Sequence, residues 1–317
     1  MKNSGITIII TAYHTEKYIE ECLDSIANQT WFKNNEEWEI LVGIDHCEKT
    51  LEKVKSIMDK YKNIRVFYMM ENVGTYITSN TLISKARYAR ILRFDSDDIM
   101  KDYMVERMMD AMCTVNKCKL VQCYYENFPK QEGKRGIDKA HGVFLCKKQV
   151  FAKYGAFMPW KCGADTEFHT RIDKNDICPV VFPQILFMRR IHNESLTRRK
   201  ETDKNSELRK QYHNYIINES PKNPIIKTVT APAIEIFADT NIIIEEKLQP
   251  ATPPINEVAQ KIPVEILTNT PEIIEEKPTE NQQQTEIQFI KETPIKYVKR
   301  ISPRVTKRVC TGKYTGI

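Results

Sequence analysis

Ile91-Leu92-Arg93-Phe94-Asp95-Ser96-Asp97-Asp98 runs from an apolar strand directly into three aspartates within four residues. Carboxylates so close together at a strand end repel one another and lose hydration, so a cation or hydrogen-bond donors must offset the cost. Mn2+ or Mg2+ is the natural cation, because hard ions take carboxylate and phosphate oxygens together. A plainer duty also exists for one of the set, since Asp97 or Asp98 can cap a following helix.

Working upstream, the stretch closes a series of alternating elements. Ile6-Thr7-Ile8-Ile9-Ile10 reads as a buried strand, and Tyr18, Ile19, Cys22, Leu23 and Ile26 follow at helical spacing. Ile40-Leu41-Val42-Gly43-Ile44 ends at Asp45, with a helix expected from Leu51 to Tyr61. Ile64-Arg65-Val66-Phe67-Tyr68 precedes the turn Glu71-Asn72-Val73-Gly74 and a helix reaching about Arg87. Strand and helix in strict alternation imply an α/β fold, a mostly parallel sheet with helices on both faces. Ligands of such sheets bind beyond the carboxyl ends of the strands. Tyr13, His14, Asp45, Asn72, Asp95 and Asp97 should therefore meet in one crevice.

Downstream the pattern turns mixed. A helix is expected over Tyr103–Val115, strands over Leu120–Tyr125 and Gly142–Leu145, and helices near Lys148–Tyr154 and from Asp165. Cys22 and Cys113 read as packing residues on apolar helix faces, and His46-Cys47 as either a metal pair or a loop pair. Eleven of the fifteen prolines follow residue 220, in a segment rich in Glu, Gln and Thr. The expected division is a compact domain over 1–215 and a largely disordered extension over 216–317, able to dock a protein partner.

Charge follows that division. Residues 1–215 hold 35 Lys+Arg and 29 Asp+Glu, which accounts for the net +6. No basic stripe with interleaved aromatics occurs there, which excludes a nucleic-acid partner. The end, 291–317, has 8 basic and 1 acidic residue and suits an anionic partner or a solvated tail. Nine cysteines without paired C-x-x-C spacing exclude a zinc ribbon and fit free thiols in a reducing compartment. The run Ile6–Ile10 is too short for a leader, and no stretch nears the roughly 20 apolar residues of a membrane span. A soluble, cytoplasmic protein is expected. Abundant Lys, Asn and Ile beside a low-complexity tail look similar to proteins of large DNA viruses, which would place it in host cytoplasm or a virus particle.

Four blocks give a resemblance. They are Ile8–His14 with Tyr18–Ile26 and Gln29-Thr30; Gly43-Ile44-Asp45; Asn72-Val73-Gly74 with Asn80, leading into Asp95-Ser96-Asp97-Asp98; and Gly163-Ala164-Asp165-Thr166-Glu167-Phe168 with Arg171. Arg190-Ile191-His192 with Ser195 follows them. In this order they resemble the family 2 glycosyltransferases, whose fold is the Rossmann-like GT-A type, over about residues 6–200. The resemblance implies inverting, metal-dependent transfer of a hexose or N-acetylhexosamine from a nucleotide-sugar, a UDP-sugar above all, to a hydroxyl of a glycan or glycoprotein acceptor. It makes Asp165 the catalytic base and Asp97 and His192 the metal ligands. Tyr13, Asp45, Asn72, Asn80, Asp95 and Arg190 become contacts of the nucleotide-sugar, and Asp98 caps the next helix. Ile44, Ser79 and Ala164 stand where the family carries Asp, Arg and Glu. Those departures keep open a second reading, a degenerate GT-A domain that binds a glycan or a partner. A nucleotidyltransferase is disfavoured, because the first strand has no glycine-rich phosphate loop.

Overall fold

The computed structural model describes residues 2–237 apart from 131–135, 204 and 224, with the side chains of 2–4 also outside the description. Four parallel strands form its centre: β1 (Lys2–Ala12), β2 (Trp38–Ile44), β3 (Ile64–Met69) and β4 (Tyr88–Asp95). They are joined by α1 (Ile19–Ala27), α2 (Glu48–Ile57) and α3 (Thr75–Lys85). After β4 come β5 (Ile99–Met100), α4 (Met104–Thr114), β6 (Leu120–Phe128), β7 (Ile137–Lys147), α5 (Lys148–Tyr154), α6 (Ala164–Asp173) and β8 (Val180–Arg190). Then α7 (Glu207–Asn218) leads to β9 (Ala233–Ile236). The sheet order is β5-β8-β6-β7-β4-β1-β2-β3-β9.

The central strands are largely apolar because both faces of the sheet are covered, with Thr7, Glu39 and Arg93 as buried polar exceptions. Ile6, Ile8 and Ile10 of β1 pack with Cys22, Leu23, Leu51, Val54 and Met108 on one side. Ile9 and Leu41 pack with Ile77, Leu82, Phe151 and Phe168 on the other. Gly43 shows how closely α3 approaches: a Cβ there would fall 2.6 Å from Thr78 Cγ2.

Several sequence expectations change. Cys22 is buried as expected, but Cys113 is exposed, because α4 turns Met104, Val105, Met108 and Met112 to the core. The helix Leu51–Tyr61 starts earlier, at Glu48, and ends in a short 3-10 turn over Met58–Lys60. Strand β8 was not legible in the sequence: Pro183 interrupts its apolar run, and its register with β6 shifts where Gln122–Tyr124 pass that proline. Ordered structure also crosses the expected boundary at 215. Helix α7 spans it, and β9 adds antiparallel to β3, pairing Val66 with Ile236 and Met69 with Ala233. Residues 238–317, where most of the expected extension falls, lie outside the described residues. All eight described cysteines are free, and no helix among the described residues is long and apolar enough to cross a membrane.

Candidate active site

The carboxyl ends of β1, β2, β3 and β4 open into a cleft of about 600 Å³. Tyr13, Asp45, Asn72, Asp95 and Asp97 line it from these strand ends, as the topology requires. Gly142 of β7, Asp165 of α6, Arg190 at the end of β8 and His192 just after it line it from the other half of the sheet.

Two hydrogen bonds bring β8 to the aspartates. Asp98, 3% exposed, accepts the Arg190 backbone N–H at 2.9 Å, and Arg190 Nε donates to the Asp97 carbonyl at 2.9 Å. Pairing of Ile99 with Met188 fixes the same register. Asp98 is therefore a tie between loops and not the expected helix cap; Tyr103 caps α4. Burial, then the charge of Asp97, pushes its carboxyl well above the usual carboxylate range. The guanidinium of Arg190 is committed to this structural work: it also pairs with Glu21 and lies 5.0 Å from the Tyr18 ring centroid.

The tie carries His192 to Asp97, and Nε2 lies 2.7 Å from Oδ2. That separation is close to the roughly 3 Å between neighbouring ligands held at about 2.1 Å around a hard cation. The buried Nδ1 of His192 has no hydrogen-bond partner among the described residues. A carboxylate oxygen and an imidazole nitrogen fit Mn2+ or Mg2+, with phosphate oxygens of a substrate completing the shell. Asp95 turns instead to Arg93, whose Nη1 lies 2.9 Å from its Oδ1.

At the ends of β2 and β3, Asp45 is 4% exposed and its two oxygens accept the N–H groups of Val73 at 2.8 Å and Gly74 at 2.9 Å. Burial raises its carboxyl, and these two donors oppose the shift. Gly74 holds φ +84, which a side chain would resist, so the turn that presents its N–H suits glycine. Asn72 Nδ2 donates to the Asp45 carbonyl at 3.3 Å. Tyr13 lies with its ring 4.2 Å from His14 and 5.6 Å from the Arg199 guanidinium. Asn80 does not reach the cleft. It is 1% exposed, and its amide bonds the Phe157 backbone twice and the Val229 carbonyl, so its polar group belongs to the core.

On the far wall, Gly163 caps α6 and Asp165 stands in its first turn, leaving the Asp165 side chain free of capping duty. Tyr76 Oη donates to Asp165 Oδ1 at 2.9 Å. A Cβ placed on Gly142 would lie 3.1 Å from Arg93 Nη1, 3.5 Å from Asp165 Oδ2 and 3.7 Å from Asp95 Oδ2. The bare backbone of Gly142 thus leaves one space that both carboxylates face. Arg171, read with this motif, is fully buried: it binds Glu167 and the carbonyls of Tyr154, Gly155 and Ala156.

Residues 7–196 match the family described as Glycosyl transferase family 2. The chain belongs to this family. The chain is 29% identical over 128 residues to glycosyltransferase GlyG of Streptococcus pneumoniae, covering 40% of this chain and 41% of that protein, less than half its length. It is 24% identical over 210 residues to the O-antigen biosynthesis glycosyltransferase WbnJ of Escherichia coli, covering 60% and 81%. Among solved structures, S. aureus TarS 1-349 in complex with UDP-GlcNAc shares the fold at TM-score 0.53 and 18% identity, covering 60% of each chain. Mannosyltransferase PcManGT from Pyrobaculum calidifontis, in complex with GDP-Man and Mn2+, does so at TM-score 0.51 and 15% identity, covering 71% and 72%.

Arg93, Tyr76 and Gly142 were not singled out in the sequence. Arg93 carried a signal, because a lone arginine inside an apolar strand must find partners. It is 5% exposed and bonds Asp95, the Gly142 carbonyl and Thr75 Oγ1. Tyr76 and Gly142 carried none, since each is an ordinary residue of a helix or a strand.

Proposed function

We propose that this glycosyltransferase inverts the anomeric centre in a single displacement, moving a hexose or N-acetylhexosamine from a UDP-sugar to a hydroxyl of a glycan or glycoprotein acceptor. The observation that carries the reading is the space over Gly142, faced by Asp95 Oδ2 and Asp165 Oδ2 at 3.7 and 3.5 Å. The acceptor hydroxyl reaches the sugar there, and Asp165 takes its proton as the new bond from acceptor oxygen to anomeric carbon forms. The bond from anomeric carbon to diphosphate breaks with its electron pair leaving on the phosphate. Asp97 and His192 would hold a divalent cation, which when bound neutralises the charge gathering on the diphosphate.

Arg93 holds Asp95 in place, and Tyr76 holds Asp165. Asp45 serves the nucleotide indirectly, by folding the turn Asn72-Val73-Gly74 that borders the base end of the cleft beside Tyr13. Arg189, tethered by Tyr125 and Thr197, is the better placed arginine for the diphosphate, because the Arg190 head is already engaged. A UDP donor is supported by the fold shared with TarS in complex with UDP-GlcNAc, although PcManGT was captured with GDP-Man.

A panel of UDP- and GDP-sugars with Mn2+ and mixed glycan acceptors, read by mass spectrometry of released nucleotide and product, tests the proposal. Release from a UDP-sugar that falls about 10²- to 10⁴-fold in Asp165→Asn, with UDP affinity kept, is expected. No release from any donor would instead favour a binding module.

A further inference from the structure

We propose a second cation site, formed by His14, Glu16 and Cys47, that takes a zinc-type divalent ion through a thiolate, an imidazole and a carboxylate. The three side chains offer ligand atoms that all lie within 4.8 Å of one another. Among the described residues no other group of three His, Cys, Asp or Glu side chains converges this closely. His14 and Glu16 follow β1, and Cys47 follows β2, so the site joins two adjacent strand ends next to Asp45.

The distances suit such an ion. Cys47 Sγ and His14 Nδ1 are 3.5 Å apart. Tetrahedral ligands at about 2.3 Å for sulfur and about 2.0 Å for nitrogen stand roughly 3.5 Å apart. The partner of Cys47 is therefore His14 and not its neighbour His46, whose Nδ1 faces the Met69 carbonyl at 3.4 Å.

Thr50 links the Glu16 and Cys47 side chains of the cluster. Thr50 Oγ1 lies 3.3 Å from Glu16 Oε2 and 3.3 Å from Cys47 Sγ, and it accepts the Thr15 N–H at 3.2 Å. Cys47 is also the N-cap residue of α2 and is buried, so its sulfur is held in place beside His14. A bound ion would clip the turn after β1 to the start of α2, stiffening the walls that flank Tyr13 and Asp45. This site is separate in chemistry from Asp97 and His192, which contain no sulfur donor.

Co2+ added to the metal-free full chain tests the assignment. The expected result is a thiolate-to-cobalt charge-transfer band in the near ultraviolet, saturating at one equivalent and displaced by Zn2+. Cys47→Ser should lose the band, His14→Ala should weaken Co2+ binding at least tenfold, and Asp97→Ala should keep the band. A wild-type protein without the band overturns the site, as does a band that survives in Cys47→Ser or disappears in Asp97→Ala. Should Cys47→Ser fail to fold, the exposed His14 carries the test: unchanged Co2+ affinity in His14→Ala overturns the site.

Discussion

Tyr76 Oη donates to Asp165 Oδ1 at 2.9 Å while it accepts the Gly163 N–H at 3.1 Å. Burial, then the charge of Asp165, pushes the phenol well above its ordinary pKa, so it remains a donor throughout the working pH range. One residue from α3 thereby sets the start of α6 and aims the proposed base. In Tyr76→Phe a hydrogen bond to a charged group is lost, of the order of 1.5–3 kcal/mol. We expect kcat to fall about 10- to 100-fold with UDP affinity unchanged. An equal loss in UDP affinity would show instead that Tyr76 shapes the donor site.

The pairing of Asp97 with His192 predicts a graded response to metal. Asp97→Ala should weaken Mn2+-dependent UDP binding about 10- to 100-fold, and His192→Ala by the lower part of that range. Calorimetry with and without Mn2+ separates the cation contribution from the nucleotide contacts. Equal UDP affinity in Asp97→Ala and wild type would remove the metal assignment.

Gly142 predicts a steric effect without a chemical one. In Gly142→Ala the new methyl meets Arg93 Nη1 at 3.1 Å and faces both carboxylates. We expect kcat to drop by about tenfold, or about 1.4 kcal/mol, while thermal stability changes by no more than about 1 kcal/mol. Steady-state kinetics beside a melting curve checks the pair of outcomes.

Arg171 and Glu167 predict a stability effect without a catalytic one. Both are buried, and Ser220 Oγ also donates to Glu167 Oε1 at 2.8 Å, so α6 is locked to the turn at Tyr154–Ala156 and to the segment after α7. Arg171→Met leaves a buried carboxylate without its cation and should cost about 3 to 5 kcal/mol in urea unfolding. The double variant Glu167→Leu with Arg171→Met should recover much of that loss.

His169 predicts an acid limb of stability. Burial lowers its pKa to about 4, and its Nε2 donates to the His141 carbonyl at 3.0 Å. The folded state therefore binds its proton less readily than the unfolded chain, whose histidine titrates near 6.5. Its contribution is complete above about pH 6.5 and is lost as pH falls toward about 4, by up to about 3 kcal/mol. In His169→Gln the difference in unfolding free energy between neutral and acid pH should shrink; an unchanged difference removes His169 as its source.

The sequence by itself determined the alternating half of the molecule and what gathers at its edge. Doubly buried strands are largely apolar, so Ile6–Ile10, Ile40–Ile44 and Ile91–Phe94 announce themselves despite Thr7 and Arg93, and parallel topology then brings Tyr13, Asp45, Asn72, Asp95 and Asp97 to one cleft. Tertiary structure alone decided which polar groups stay available in the cleft. Asp45 spends its oxygens on two backbone amides, Asp98 ties two loops, Asn80 is spent in the core, and the Arg190 head is taken by Glu21 and the Asp97 carbonyl. Tyr76 and Gly142 enter the site from positions whose local pattern carries no trace of it. The physical reason is one of range. Burial of an element is written in its own periodicity, whereas the partner of a polar atom is fixed by residues tens of positions away that only the folded chain brings within hydrogen-bond distance.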